Sequence, residues 1–370
     1  MKINIAATHR FHVLNLAIEL QKQGHDVKFY SYVSKKRSKQ YGLSPNCCVS
    51  MLWLAIPFFV LAKIAPRNQK WQTTLTRLRN RALDWYLWHI MRKCDVFIPL
   101  GCVYTHSLEK AKLKWGATTI LEWGSKHIIE QLEKFNRTQI YPKEQLVSDL
   151  HEYEIADYIS IPATHVKNSF LKHGVAERKL LVNPYGVSLN EFPATECTNE
   201  FDIIAVGGWR YEKGSDLLID LCRKYGYKLL HVGPIVNMDF PTEENFTHID
   251  AVNQKELVNF YRRAKIFVLP SRAEGLSLVQ AQAISCGLPV VCSGETGGED
   301  LKHLLEETPF IQVIDSLTTE SLHQSVEKAL LLAATQSGVR NYAGEGIANL
   351  TWDAYGMRYN INISYIIKHN

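Results

Sequence analysis

The 370-residue chain contains no run of eighteen apolar residues, the length a helix needs to cross a bilayer, so no transmembrane helix is expected. Its N-terminal stretch, MKINIAATHRF, is broken by Asn4 and His9 before an apolar core can build up, and is not read as a secretory signal. The eight cysteines (Cys47, Cys48, Cys94, Cys102, Cys197, Cys222, Cys286 and Cys292) show neither C-x-x-C nor Cys/His metal spacing. Reduced thiols in a cytosolic protein are the expectation. No tandem repeat of fixed period and no low-complexity tract occurs. The turn after the first apolar run, AATHRFH, lacks G-x-G-x-x-G, which leaves a nicotinamide or flavin dinucleotide site unsupported. No RNA- or DNA-binding motif is present, and a nucleic-acid partner is not expected.

What is present suits a two-domain globular chain. Apolar residues make up 46%, enough for two cores. The net charge of +5 hides an asymmetry: residues 1–180 hold 27 Lys and Arg against 14 Asp and Glu, and the remainder holds 15 against 23. A basic first half points to an anionic partner, whether a membrane surface, a nucleic acid or an anionic glycan.

Along the chain, MKINIAA reads as a strand, FHVLNLAIELQKQGH as an amphipathic helix stopped at Gly24, and DVKFYSYV as a second strand, a βαβ opening. Between Lys35 and Lys93 the character changes. KKRSK is basic, MLWLAIPFFVLA is a twelve-residue apolar run closed by Lys63, and RNQKWQTTLTRLRNRALDWYLWHIMRK is rich in Arg and Trp. Two readings stand for this stretch: docking at a membrane interface through aromatic anchors and basic residues, or a core helix followed by a solvated one. DVFIPLG, ATTILEWGS and the ADYI stretch read as further strands. A domain boundary falls between Pro184 and Glu200, where FPATECTNE is polar. FDIIAVGG then opens a second βα series, and TWDAYGMRYNINISYIIKHN reads as a final helix.

The stretch Ile266–Asp300, IFVLPSRAEGLSLVQAQAISCGLPVVCSGETGGED, carries the most chemistry. IFVLP and LPVVCS are short apolar runs of the kind a parallel strand buried on both faces needs. LSLVQAQAIS between them has helical spacing, with Leu278, Ala281 and Ile284 on one side and a stop at Gly287. GETGGED reads as a Gly-rich turn. Glu274 thus stands before a helix at the carboxyl edge of a parallel sheet, where open α/β sheets place ligands.

This pattern resembles the C-terminal domain of the GT-B glycosyltransferases, most closely the retaining enzymes of glycosyltransferase family four. Their signature is a Glu, seven residues and a second Glu on the turn and helix that hold the nucleotide sugar. Glu274 fills the first place, and Gln282 stands where the second Glu would grip the ribose. AVGGWRYEKGSDLLI resembles the V-G-R-x4-K-G loop that clamps the donor diphosphate: Lys213 and Gly214 align, Gly208 takes the Arg position, and Arg210 follows two places later. Ser215 is expected to cap the next helix. The resemblance also implicates Gly275, the backbone of Leu276, Ser277 and Leu278, and the last turn at Thr296, Gly297 and Gly298. In the first half, LEWGSKHIIEQ resembles a Gly-Ser-x-His element. It makes Glu122, Ser125 and His127 candidates for sugar or acceptor contacts; His12, on the first turn in THRFH, is a separate candidate expected to face the interdomain cleft.

The resemblance implies an α/β, GT-B fold: two Rossmann-like doubly wound domains facing a central cleft, with a C-terminal helix crossing back to the first. The expected boundaries are 1–185 for an acceptor-binding domain, 186–350 for a nucleotide-sugar-binding domain and 351–370 for the returning helix. It implies a retaining transfer of a sugar from a nucleotide diphosphate sugar to an acceptor hydroxyl, with Lys213, Glu274 and His127 at the reacting centre. The chain contains no Asp-x-Asp, the metal-holding motif of the other main glycosyltransferase class. The expectation is therefore metal-independent chemistry with no cofactor beyond the donor substrate. A glycan or lipid-linked acceptor in cell-surface polysaccharide assembly, in the cytoplasm or peripherally on the inner membrane face, is the reading by analogy. A soluble-acceptor glycosyltransferase, a GT-B sugar-nucleotide epimerase and a non-catalytic GT-B binding scaffold remain as alternatives.

Overall fold

The computed structural model describes residues 1–64, 69–194, 196–335, 338–339 and 345–369. Part of the basic, Trp-rich stretch, residues 65–68, lies outside the described residues, as does residue 195 of the expected boundary. The chain forms two compact units. The first takes in Met1–Ile161, Ser169–Asn183 and the chain from Gly356 onward; the second takes in Pro162–Asn168 and Pro184–Tyr355.

The first unit is built on a seven-stranded sheet of β1 (Lys2–Ala6), β2 (Asp26–Ser31), β3 (Cys48–Ser50), β4 (Val96–Pro99), β5 (Thr118–Glu122), β6 (Tyr158–Ile161) and β7 (Leu180–Val182). The order is β3-β2-β1-β4-β5-β6-β7, parallel throughout. Ile3, Ile5, Val96, Phe97, Ile98, Ile120 and Leu121 are fully buried, because helices cover both faces of a parallel sheet. Residues from Gly356 onward close this unit. Arg358 Nε donates to Asn183 Oδ1 (2.9 Å), His25 Nε2 lies 2.9 Å from Asn360 Oδ1, and Tyr359, Ile363 and Ile366 are buried.

The second unit carries β8 (Phe201–Val206), β9 (Leu229–Val232), β10 (Phe246–Ile249), β11 (Ala264–Leu269), β12 (Val290–Ser293) and β13 (Ile311–Ile314). Their order is β10-β9-β8-β11-β12-β13, again all parallel. Strand order reverses between β8 and β11, and in the first unit between β1 and β4. The crevice off the carboxyl ends at such a reversal is where open α/β sheets bind ligands.

Three features depart from the sequence expectations. The apolar run forms a helix, Leu52–Ile64, in which only Ala55 is buried. Trp53, Ile56, Phe59, Val60, Leu61 and Ile64 are all exposed, Ile64 by 76%, so the core-helix reading fails. This helix packs along the Gln69–Ile90 helix, where Trp53 meets Tyr86 edge-on at 5.2 Å. No described helix is long and apolar enough to cross a membrane. Second, GETGGED is not a plain turn: a single 3-10 turn (Gly294–Thr296) leads into a helix at Gly298–Leu304. Third, Pro162–Asn168 belongs with the second unit rather than the first.

Candidate functional site

In the second unit, Lys213 and Glu274 come from the loops after β8 and β11, the two strands that flank the reversal. Gly214, between Lys213 and the Ser215–Tyr225 helix, has φ +74°, and a Cβ there would lie 2.2 Å from the Pro270 carbonyl oxygen. Only glycine lets the two loops approach this closely. Across that approach Lys213 Nζ pairs with Glu274 Oε1. Ser271 Oγ lies 3.1 Å from the same carboxylate oxygen. The Glu274 backbone is also fixed: its N–H donates to the Glu295 carbonyl (2.9 Å), and its own carbonyl accepts from His165 Nε2 (3.0 Å). Arg272 holds Asp216 with two 2.7 Å bonds and stacks over the Tyr211 ring, 3.8 Å from its centre, which braces the Lys213 turn.

Gly208 and Arg210 explain each other. A Cβ at position 208 would lie 2.7 Å from Arg210 Nη2. The guanidinium from position 210 therefore occupies the space a side chain at 208 would need. Arg210 Nε is buried without a hydrogen-bond partner among the described residues. A buried, unpaired guanidinium donor is costly unless an acceptor arrives. Ser215 does not cap the following helix. Gly214 precedes the first turn, and Ser215 Oγ accepts the Arg210 N–H instead (3.0 Å).

The Leu278–Ser285 helix starts after Ser277, whose N–H donates to the Thr296 carbonyl (3.2 Å). Leu276, Ser277, Gln282 and Thr296 are buried, and Gly275 is buried with them. Leu276 packs against Gly297, where a Cβ would lie 3.1 Å from Leu276 Cγ. Gly298 lies against Cys292, with no room for a Cβ beside Sγ at 2.3 Å. Thr296 is anchored by Gln280, which the sequence did not single out: Gln280 Nε2 donates to its carbonyl (2.8 Å). Gln282 turns its amide oxygen toward Tyr261, which donates at 3.1 Å. His165, Arg272, Asp216 and Gln280 are the supporting residues that the sequence reading missed. Only Arg272, within SRAEG, had a local signal.

In the first unit, His12 and Glu122 meet although 110 residues separate them: Nε2 lies 2.7 Å from Oε2, and both side chains are buried. The order of the sheet brings them together, since His12 follows β1 and Glu122 ends β5. Glu122 Oε1 has no hydrogen-bond partner among the described residues. Ser125 Oγ accepts from Gln131 Nε2 (2.9 Å). His127 lies deeper, 3% exposed, stacked on His173 with ring centres 4.4 Å apart and packed against Tyr153 and Phe170. Burial, helped by the neighbouring His173, lowers its pKa to about 4 and keeps the ring neutral.

Two all-parallel sheets, each with helices and each reversing its strand order, make this a GT-B fold. Residues 190–330, the stretch that holds Lys213, Glu274, Gln282 and Thr296, match the family described as Glycosyl transferases group 1. The chain is 27% identical over 145 residues to an uncharacterized glycosyltransferase of Methanocaldococcus jannaschii, covering 37% of this chain and 40% of the relative. It is 27% identical over 111 residues to the O-antigen chain mannosyltransferase B of Escherichia coli, covering 29% of each. The chain thus spans less than half the length of these curated relatives. Among solved structures, Anabaena HepE in complex with UDP and glucose superposes with a TM-score of 0.67 at 12% identity, over 99% of this chain and 100% of that one.

Proposed function

We propose that the protein is a glycosyltransferase that moves a sugar from a nucleotide diphosphate sugar to an acceptor hydroxyl with retention. The observation that carries this reading is the Lys213–Glu274 pair at the strand reversal, with the buried, unpaired Arg210 Nε beside it. Lys213 supplies a compact charge and Arg210 a planar fork, the two donors a diphosphate needs. As the glycosidic bond breaks, negative charge grows on the leaving diphosphate. Groups fixed to meet that charge lower the barrier. Glu274 holds donor-sugar hydroxyls once the donor draws Lys213 away. The family resemblance assigns the segments of Gln282, Thr296, Gly297 and Gly298 to the nucleotide side. No divalent metal is required in this proposal.

The exposed apolar helix Leu52–Ile64, together with the exposed Lys35, Lys36, Arg37 and Lys39 elsewhere in the first unit, favours a bilayer-associated acceptor. Exposed apolar patches mark interaction sites, and exposed basic residues suit anionic lipid. Lipid-linked glycan assembly, peripheral on a cytoplasmic membrane face, is the context we assign. The likeness to the Escherichia coli O-antigen enzyme supports it.

A thermal-shift panel of UDP, GDP, ADP, dTDP and their sugars, with and without EDTA, tests the reading. One nucleotide should raise the melting midpoint in EDTA and lose that effect in Lys213→Ala. Absence of any shift at saturating nucleotide would refute the donor site and bring the non-catalytic scaffold forward.

A further inference from the structure

The first unit contains a cavity of about 770 Å³ between the Gln69–Ile90 helix, the Gly101–Ser107 segment and the Lys143–Ile155 helix. It opens off the carboxyl end of β4, one of the two strands at the reversal of that sheet. None of the candidate donor- or acceptor-site residues named above lines it.

Its walls divide into three chemistries. Arg77 and Arg81, one helical turn apart, both reach Glu144, at 3.0 and 3.4 Å. Two guanidinium groups share this one exposed carboxylate, while the other carboxylate of the wall, Asp84, is turned to the His106 and Ser107 N–H groups. Glu144 is 75% exposed on its side chain, so this pairing is screened and easily exchanged for a better anion. Trp85 and Trp88 present exposed indoles to the same cavity, 63% and 38% accessible. Asn80, Thr105, Gln145 and Ser148 add donors and acceptors. Aromatic faces for apolar ring surfaces, hydroxyl and amide partners, and a paired guanidinium for an anion form a set that suits a charged sugar.

The floor is held rigidly. Asp84 is 3% exposed and accepts the backbone N–H groups of His106 (2.9 Å) and Ser107 (3.0 Å), so it shapes the wall and has little capacity left for a ligand. Cys102 has φ +73°, a conformation that costs a side-chain-bearing residue energy. Its N–H is held at 2.7 Å by the buried Glu152 carboxyl. Strain of this kind persists where the surroundings enforce it, and here it sits in the wall of the cavity.

We propose that this cavity binds a phosphorylated sugar, with the phosphate on Arg77 and Arg81 and the sugar ring against Trp85 and Trp88. As the place of the acceptor it rests on the glycosyltransferase reading; as a sugar-phosphate site it stands without it. The Gln69–Ile90 helix that presents the arginines also packs against the exposed apolar helix, so a sugar phosphate carried on a prenyl lipid and a free sugar phosphate both offer the required chemistry.

Isothermal titration of the full chain, without nucleotide, decides. The probes are glucose 1-phosphate, glucose, inorganic phosphate, and a prenyl-linked sugar phosphate in phosphatidylcholine vesicles. Glucose 1-phosphate should bind, and Arg77→Ala and Arg81→Ala should each weaken it about tenfold or more, as loss of a charge-assisted hydrogen bond does. Glu144→Gln should tighten binding by removing the competing carboxylate, a gain that damaged folding cannot produce. Trp85→Ala should weaken glucose 1-phosphate and leave inorganic phosphate unchanged. Tighter binding from vesicles assigns the ligand to a lipid, and equal binding assigns it to a free sugar phosphate; either supports the site. Three results overturn it: no binding of any phosphorylated probe, inorganic phosphate binding as well as glucose 1-phosphate, or weaker binding in Glu144→Gln. A surviving nucleotide-induced thermal shift alongside any of these would sink this site and leave the donor site intact.

Discussion

His12 Nε2 sits 2.7 Å from Glu122 Oε2, and both side chains are sealed from solvent. A buried carboxylate needs its partners, because desolvation is repaid only by hydrogen bonds and charge. Glu122→Ala removes His12's carboxylate partner and is expected to destabilise the first unit by about 1–3 kcal/mol. Glu122→Gln keeps one acceptor oxygen and should cost less. Urea midpoints of the two variants, read against wild type, check the order; equal costs would mean that the carboxylate–imidazole contact contributes nothing specific.

Arg210 and Gly208 compete for one space, which makes a swap informative. Gly208→Ala should push the guanidinium aside, since a Cβ would lie 2.7 Å from Nη2, and should shrink the nucleotide-induced thermal shift. The double variant Gly208→Arg, Arg210→Gly restores a guanidinium from the other position. Its shift should exceed that of Arg210→Gly alone. A double variant no better than the single one would show that the guanidinium plays no part in binding the nucleotide.

Burial pushes the Glu152 carboxyl up to about 8, with Asp149 and Asp84 adding to the rise while the Cys102 N–H and Thr105 hydroxyl oppose it. The folded state therefore favours the protonated form. The stability this gives is complete below the ordinary value of 4.5 and is lost as pH rises through about 8. Glu152→Gln, which keeps an oxygen for the Cys102 N–H, should flatten that fall and be more stable than wild type at about pH 9. Urea unfolding of both proteins at about pH 6 and 9 measures it. An unchanged slope would place the titration elsewhere.

The exposed helix offers a membrane test. Replacing Val60, Leu61 and Ile64 with Ser should abolish pelleting with anionic vesicles while leaving the melting midpoint near wild type, because these side chains lie at the surface. A large fall in the midpoint would instead show that they are covered by protein.

Much of the fold could be read in advance because it is written in continuous apolar runs. FDIIAV and AKIFVL become β8 and β11 since a central parallel strand is buried on both faces. The strands missed, β3, β10 and β13, have three or four residues each and sit at or near sheet edges, where the apolar signal is thin. The helix at Gly298–Leu304 was hidden by its glycines, which local propensity reads as turn. Lys213, Glu274 and the displacement of Arg from position 208 to 210 stood out through their loop context, while the reason for that displacement did not, because it is a steric fact between two side-chain positions. The pairing of His12 with Glu122 depends on β1 and β5 lying two strands apart, which no window of sequence contains. The apolar run at Leu52–Ile64 posed a choice that composition could not make, and its exposure in the folded chain removes the core-helix reading.

The first unit is closed by the last helix of the chain: Gly356 lies so near Glu19 that a Cβ would sit 2.3 Å from the Glu19 Cβ. During synthesis, residues 1–183 leave the ribosome long before their closing helix exists, and all of the second unit except Pro162–Asn168 is made in between. The early segment must wait with the surface that later receives Tyr359, Ile363 and Ile366 still open to water. A fragment ending at residue 185 would keep that state permanently, so the order of translation makes the second unit the one able to finish first.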